Sequence, residues 1–153
     1  MLLSVITDYE LLRQFMIQDE VFSLVSDDGV VRDTYLPRTD GQWLGIFDNF
    51  ELIGTIFIHP QTSSTVQMHP VLLTGHKYKI RLVMRLFFDY MSRIGIDKVN
   101  VTVPFIYKNL RNASLKAGFQ DEGINRLSYP KHGVLHDQWH MGICRSEWEW
   151  VAH

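Results

Sequence analysis

The groups in this chain that could carry chemistry are a glycine flanked by basic residues, seven histidines and one cysteine. The glycine lies in Thr74-Gly75-His76-Lys77-Tyr78-Lys79, between an apolar stretch ending at His69-Pro70 and a long amphipathic pattern. A glycine turn that opens a helix presents free backbone N–H groups and the positive end of the helix dipole together, an arrangement that can hold phosphate. Lys77, Lys79, Arg81 and Arg85 add positive charge nearby. The same turn also has a purely structural reading, a strand-to-helix connection that needs Gly75 for a positive φ. His69 is the best candidate for a base, because an imidazole titrates near neutral pH; its plainer reading is a surface histidine before a proline. His132, His136 and His140 are spaced by four, but Pro130 and Gly133 predict a hairpin. A hairpin would not stack them as helical i, i+4 ligands, so no metal site is expected. Cys144 has no sequence-adjacent base and reads as a small buried hydrophobe.

Positioning those groups takes a single folded unit. The 153 residues suit one domain spanning 1–153, and 46% hydrophobic with 21% charged residues is ordinary for a globular protein. A formal charge of -2 gives no reason to expect nucleic acid as a partner. Asp8 and Glu10 break the apolar start Met1-Leu2-Leu3 too early for a signal peptide or membrane span, so no membrane is expected. The lone cysteine excludes an internal disulfide and fits a reducing, cytoplasmic setting.

Ser4-Val5-Ile6 reads as a first strand, and Leu11, Leu12, Phe15, Met16, Val21, Phe22 and Leu24 give helical spacing to about Val25. Residues 43–47 and 52–58 predict a hairpin turning at Asp48-Asn49-Phe50-Glu51. A further strand runs from Thr65 to Met68, with pairing expected to stop or bulge at His69-Pro70. From Lys77 to about Ile94 the period is helical, and Gly95 is its left-handed stop. Residues 99–103 predict a strand ended by Pro104, and residues 108–117 a short helix capped by Gly118. Residues 123–129 and 140–144 predict a terminal hairpin around Pro130-Lys131-His132-Gly133. This is a mixed α/β order rather than a uniform parallel alternation.

Lys116, Gly118-Phe119 and Glu122-Gly123, placed after that element order, resemble the GNAT acyltransferase superfamily. Arg126, Gly133, Asp137 and Arg145-Ser146-Glu147-Trp148 continue the likeness to its ribosomal-protein alanine acetyltransferase branch. The resemblance implies a largely antiparallel central sheet of about six or seven strands flanked by about four helices. It implies acetyl-CoA as cofactor, held by Val71, Thr74, Gly75, His76, Lys77, Tyr78 and Lys79, and an amine-bearing acceptor, either a protein or a small molecule. His69 would then be the base. Where many relatives carry a tyrosine that protonates the leaving thiolate, this chain has Ser114; where an asparagine contacts the cofactor arm, it has Tyr107, whose hydroxyl has the more suitable pKa. Glu51, Asp33 and Glu20 are weaker candidates for the base.

The cofactor loop departs from the family pattern. Leu72 occupies the usual Gln/Arg position and Lys77 that of a small residue. Similar loops occur in GNAT-like proteins of tailed phages, so the rival expectation is a catalytically degenerate component of phage heads or virions. Trp139, Trp148 and Trp150 read either as packing or as a surface for homo-oligomer or assembly contacts.

Overall fold

The computed structural model describes residues 1–148. Strand β1 (Leu2–Ile6) leads into α1 (Tyr9–Met16), whose first turn is capped by the Asp8 carboxylate accepting from the Glu10 and Leu11 N–H groups. The helical spacing expected through Val25 is divided at Ile17-Gln18, and α2 (Asp19–Val25) follows. A 3-10 turn (Arg32–Thr34) precedes β2 (Gln42–Asp48) and β3 (Glu51–Pro60), joined at Asn49-Phe50 with both residues at positive φ. Then come β4 (Thr65–Leu72), a 3-10 segment (Thr74–Lys79), α3 (Ile80–Arg93), β5 (Lys98–Pro104) and α4 (Lys108–Lys116). The chain continues through β6 (Gln120–Lys131), β7 (Val134–Cys144) and the single turn α5 (Arg145–Trp148).

The seven strands form one sheet in the order β1-β2-β3-β4-β5-β7-β6, antiparallel except where β4 meets β5. Alternation along the strands sends side chains to two cores. Trp43, Phe57 and Ile6 pack under Leu12, Phe15, Met16 and Val21 of α1 and α2. On the opposite face, Leu44, Ile56 and Ile58 pack under Val83, Met84, Phe87, Phe88 and Met91 of α3. The mixed, largely antiparallel sheet between helices is the expected α/β architecture. Among the described residues, no helix is long and apolar enough to cross a membrane.

Several expectations need correction. The long helix starts at Ile80 rather than Lys77, because residues 74–79 take a tighter 3-10 path. Gly75 lies outside the positive-φ residues, so the turn does not need glycine for its backbone. The terminal hairpin is longer than expected and turns on His132-Gly133, both at positive φ. Trp139 stacks on Phe105 with ring centroids 4.0 Å apart, under the Arg111 guanidinium. Trp148 is fully buried and stacked on Phe88. Those two rings are therefore packing residues rather than a contact surface; Trp150 lies outside the described residues.

Candidate active site

Strand β4 does not stop at Pro70. It pairs with β3 from Pro60↔Val66 through Gly54↔Leu72, with Pro70 opposite Ile56. Its parallel pairing with β5, in contrast, covers only Thr65↔Lys98, Val66↔Val99 and Gln67↔Asn100. Beyond that point β5 follows β7, through Val101↔Met141 to Pro104↔Gln138. The sheet thus splits, and residues 68–72 form a local edge strand. Proline is tolerated there because the strand has a partner on one side only.

The split opens into a cleft of about 730 Å³. His69, Pro70 and Val71 stand on its β4 wall, Thr102 and Pro104 on its β5 wall, and Tyr107 before α4. Across it lies the segment between α2 and β2. That segment is stapled to the β6–β7 hairpin: the Lys131 ammonium donates to Ser23 O at 2.8 Å and to Ser26 O, and Tyr129 donates to Ser26 O at 3.2 Å. Asp28 closes the same joint by accepting from the His132 and Gly133 N–H groups at 3.0 and 2.9 Å, bonds that hold its carboxyl below the usual range.

His69 sits among groups that its sequence neighbourhood does not reveal. Arg38 grips Asp40 with two hydrogen bonds, Nε to Oδ1 at 3.0 Å and Nη2 to Oδ2 at 2.8 Å. Its guanidinium lies 4.7 Å from the Phe57 ring centroid, and His59 Nδ1 approaches the Asp40 carboxylate at 3.4 Å. The Arg38 hydrogen bond keeps Asp40 below the usual carboxylate range. Arg38 Nη1 reaches His69 Nε2 at 3.5 Å, the outer limit of a hydrogen bond. Desolvation, and then the positive charge of Arg38, push the His69 pKa down from 6.5 to about 4. The side chain nevertheless stays open to the cleft. His69 is therefore neutral at neutral pH and lines the cleft.

Tyr107 shares this cleft with Tyr129; their ring centroids are 6.3 Å apart in an edge-on contact. Burial, and then a hydrogen bond with Tyr107, push the Tyr129 pKa up. Ser114 is elsewhere. It is buried in α4 and its hydroxyl donates to Leu110 O at 2.9 Å, a bond within its own helix.

The turn beyond Val71 follows the open end of the split. A Cβ placed on Gly75 would meet nothing within 4 Å, so the fold imposes no glycine there. The Thr74 N–H donates to the Glu20 carboxylate at 3.2 Å. Lys79 is committed to Asp48 and lies 3.1 Å from His76 Nδ1, and its ammonium is 5.3 Å from the Tyr78 ring centroid. Lys77 is exposed. Of the residues singled out from sequence, the structure sets His69, Val71 and Tyr107 along one cleft, and beside His69 it sets Arg38, Asp40 and His59, which the sequence did not single out. The only available signal was the repeated His-Pro pair, His59-Pro60 and His69-Pro70. Their proximity depends on the Phe57↔His69 register.

No protein-family model matches the chain, and no curated protein matches it in sequence. Solved structures do. Spermidine N-acetyltransferase from Vibrio cholerae, in complex with CoA and spermine, superposes with a TM-score of 0.79 at 15% identity, covering 96% of each chain. A SpeG variant of that enzyme gives 0.79 at 14% identity over 100% of both chains. A putative acetyltransferase gives 0.78 at 14% identity, covering 98% of this chain and 86% of that one. At these identities the likeness shows architecture alone, and the architecture of this chain is a GNAT-like mixed α/β fold.

Proposed function

We propose that the chain is an N-acetyltransferase that moves an acetyl group from acetyl-CoA to an amine. The observation that carries this reading is the split between β4 and β5, whose β4 wall continues along the chain through Leu73 into the Gly75 turn. A strand edge with a partner on one side can receive a peptide-like arm as an added strand. The turn beyond it suits the arm's phosphates, and two features fit. Open space beside Gly75 lets an anion approach the backbone, and the Thr74 N–H already takes an anionic oxygen, from Glu20. Thr74, Gly75, His76 and Lys77 would hold the phosphates, Val71 would border the arm, and Lys79 would brace the turn through Asp48.

Acetyl-CoA supplies the activated thioester carbonyl. The chain's contribution is to orient and to move protons. His69 is neutral and faces the cleft, so it can accept the amine proton, although a pKa of about 4 makes it a weak base for that step. Tyr107, one of the phenols on the cleft with Tyr35 and Tyr129, would protonate the leaving thiolate, whereas the Ser114 hydroxyl is bonded within its helix. Arg38 and Asp40 hold the surroundings of His69 in place. The rival reading, a degenerate phage assembly component, rests on Leu72, Lys77 and Ser114. Neither the neighbouring structures nor the packing of Trp139 and Trp148 supports it.

Thermal unfolding with acetyl-CoA, together with release of free CoA thiol on adding amines, tests the proposal. Ligand at about 100 times its dissociation constant should stabilise the chain by roughly 2.7 kcal/mol. No shift at millimolar acetyl-CoA would refute it.

A further inference from the structure

We propose that the acceptor is a primary amine with an apolar or aromatic body and a single ammonium group, not a polyamine; this rests on the acetyltransferase reading. The far wall of the cleft is built from apolar side chains left uncovered. Leu24 of α2 and Val31 and Leu36 of the following segment are 45%, 59% and 75% exposed, and all three line the cleft. Tyr35 also lines it, and Trp43 and Phe57 lie deeper, with ring centroids 4.8 Å apart. An amine with an aromatic body would cover this surface and remove it from water.

The charges point the same way. A chain of several ammonium groups entering a cleft gives up its hydration and needs a carboxylate for each charge. Among the described residues lining this cleft, Asp27 is the only carboxylate, and its Oδ1 accepts the Gly29 N–H at 2.7 Å. Asp33 is not among them. Of the other acids of α2 and the segment after it, Asp19 pairs with Arg32, Glu20 accepts from Thr74 and Asp28 from the hairpin turn, while Asp40, near His69, is taken up by Arg38. Lys131, Tyr129 and the Asp28 N–H (to Pro130 O, 2.9 Å) pin Ser23, Ser26 and Asp28 to the hairpin, which fixes Asp28 in its present place. The basic side chains on the cleft, Arg38 and His69, are a cation and a neutral imidazole, and its Tyr35, Tyr107 and Tyr129 phenols carry no negative charge at neutral pH. One carboxylate beside an apolar wall matches one ammonium on an apolar body.

The test compares 2-phenylethylamine with spermidine in two assays on the whole chain. The first is CoA-thiol release from acetyl-CoA; the second is ligand-observed saturation-transfer NMR on the chain without cofactor. The inference expects kcat/KM for 2-phenylethylamine to exceed that for spermidine by about tenfold or more. It also expects saturable NMR binding of 2-phenylethylamine that spermidine does not displace. The paired substitution Val31→Asp with Leu36→Asp, at exposed positions, should reverse the ratio. Equal or better use of spermidine by the wild-type chain overturns the inference while leaving the acetyltransferase reading intact. An acetyl-CoA shift with neither amine acetylated does the same. If acetyl-CoA produces no shift, the acetyltransferase reading fails. The NMR arm then decides alone: bound 2-phenylethylamine sustains the apolar-amine site, and its absence removes it.

Discussion

Gly75→Ala separates what the fold requires from what a ligand requires. Glycine is usually kept for a positive φ or for a close neighbour, and neither applies here: Gly75 is not at positive φ, and an added Cβ meets nothing within 4 Å. Because alanine restricts the unfolded chain more than glycine does, the variant without ligand should be as stable as wild type or gain about 0.4–1 kcal/mol. The methyl group would occupy the space through which phosphate reaches the backbone. If that weakens acetyl-CoA tenfold, then at a concentration that stabilises wild type by about 2.7 kcal/mol the variant should gain only about 1.4 kcal/mol. For a chain of this length those gains correspond to shifts of roughly 5–11 °C and 3–6 °C. Thermal unfolding with and without acetyl-CoA reads both quantities. An identical ligand-induced shift in the two proteins would remove Gly75 from the cofactor site. A loss of more than about 1 kcal/mol without ligand would show that the space is not open.

Glu20→Gln removes the carboxylate that already occupies the Thr74 N–H, so acetyl-CoA should bind roughly two- to fivefold more tightly, less so at high salt. Titration calorimetry showing unchanged or weaker binding would contradict this. His69 has a folded pKa of about 4, below its ordinary 6.5, so on acidification the unfolded chain takes up this proton first. The His69 contribution to stability is thus present above 6.5 and lost as pH falls toward 4; His69→Gln should flatten the unfolding midpoint across that window and, if His69 relays the proton, lower kcat. A midpoint curve unchanged by the substitution would show that His69 titrates normally. Trp148→Ala empties a fully buried site, where the indole stacks on Phe88 at 5.2 Å and donates to Ser92 Oγ at 2.9 Å. Urea unfolding should show a loss of about 3–5 kcal/mol, and a loss below about 1 kcal/mol would return Trp148 to the surface.

Much of the scaffold was readable before folding. The apolar period of residues 80–91 announced α3, and Gly95 and Gly118 marked helix ends, both with positive φ. Pro130 to Gly133 announced the last hairpin, though not its length, because residues 120–127 are exposed on the edge strand and carry little apolar alternation. The division of α1 from α2 was invisible for a related reason: apolar residues occur on both sides of Ile17-Gln18, and no proline or glycine separates them.

The sequence by itself determined the order of elements and the place of the Gly75 turn, because periodicity, glycine and proline act through local backbone geometry. Only the tertiary structure decided that β4 and β5 part after three residue pairs, which makes Pro70 part of a cleft wall rather than a strand stop. It also brought Arg38, Asp40 and His59 to His69, and tied the Ser114 hydroxyl to Leu110 O and the Lys79 ammonium to Asp48. Those outcomes depend on register and on contacts between distant segments, which no local pattern encodes.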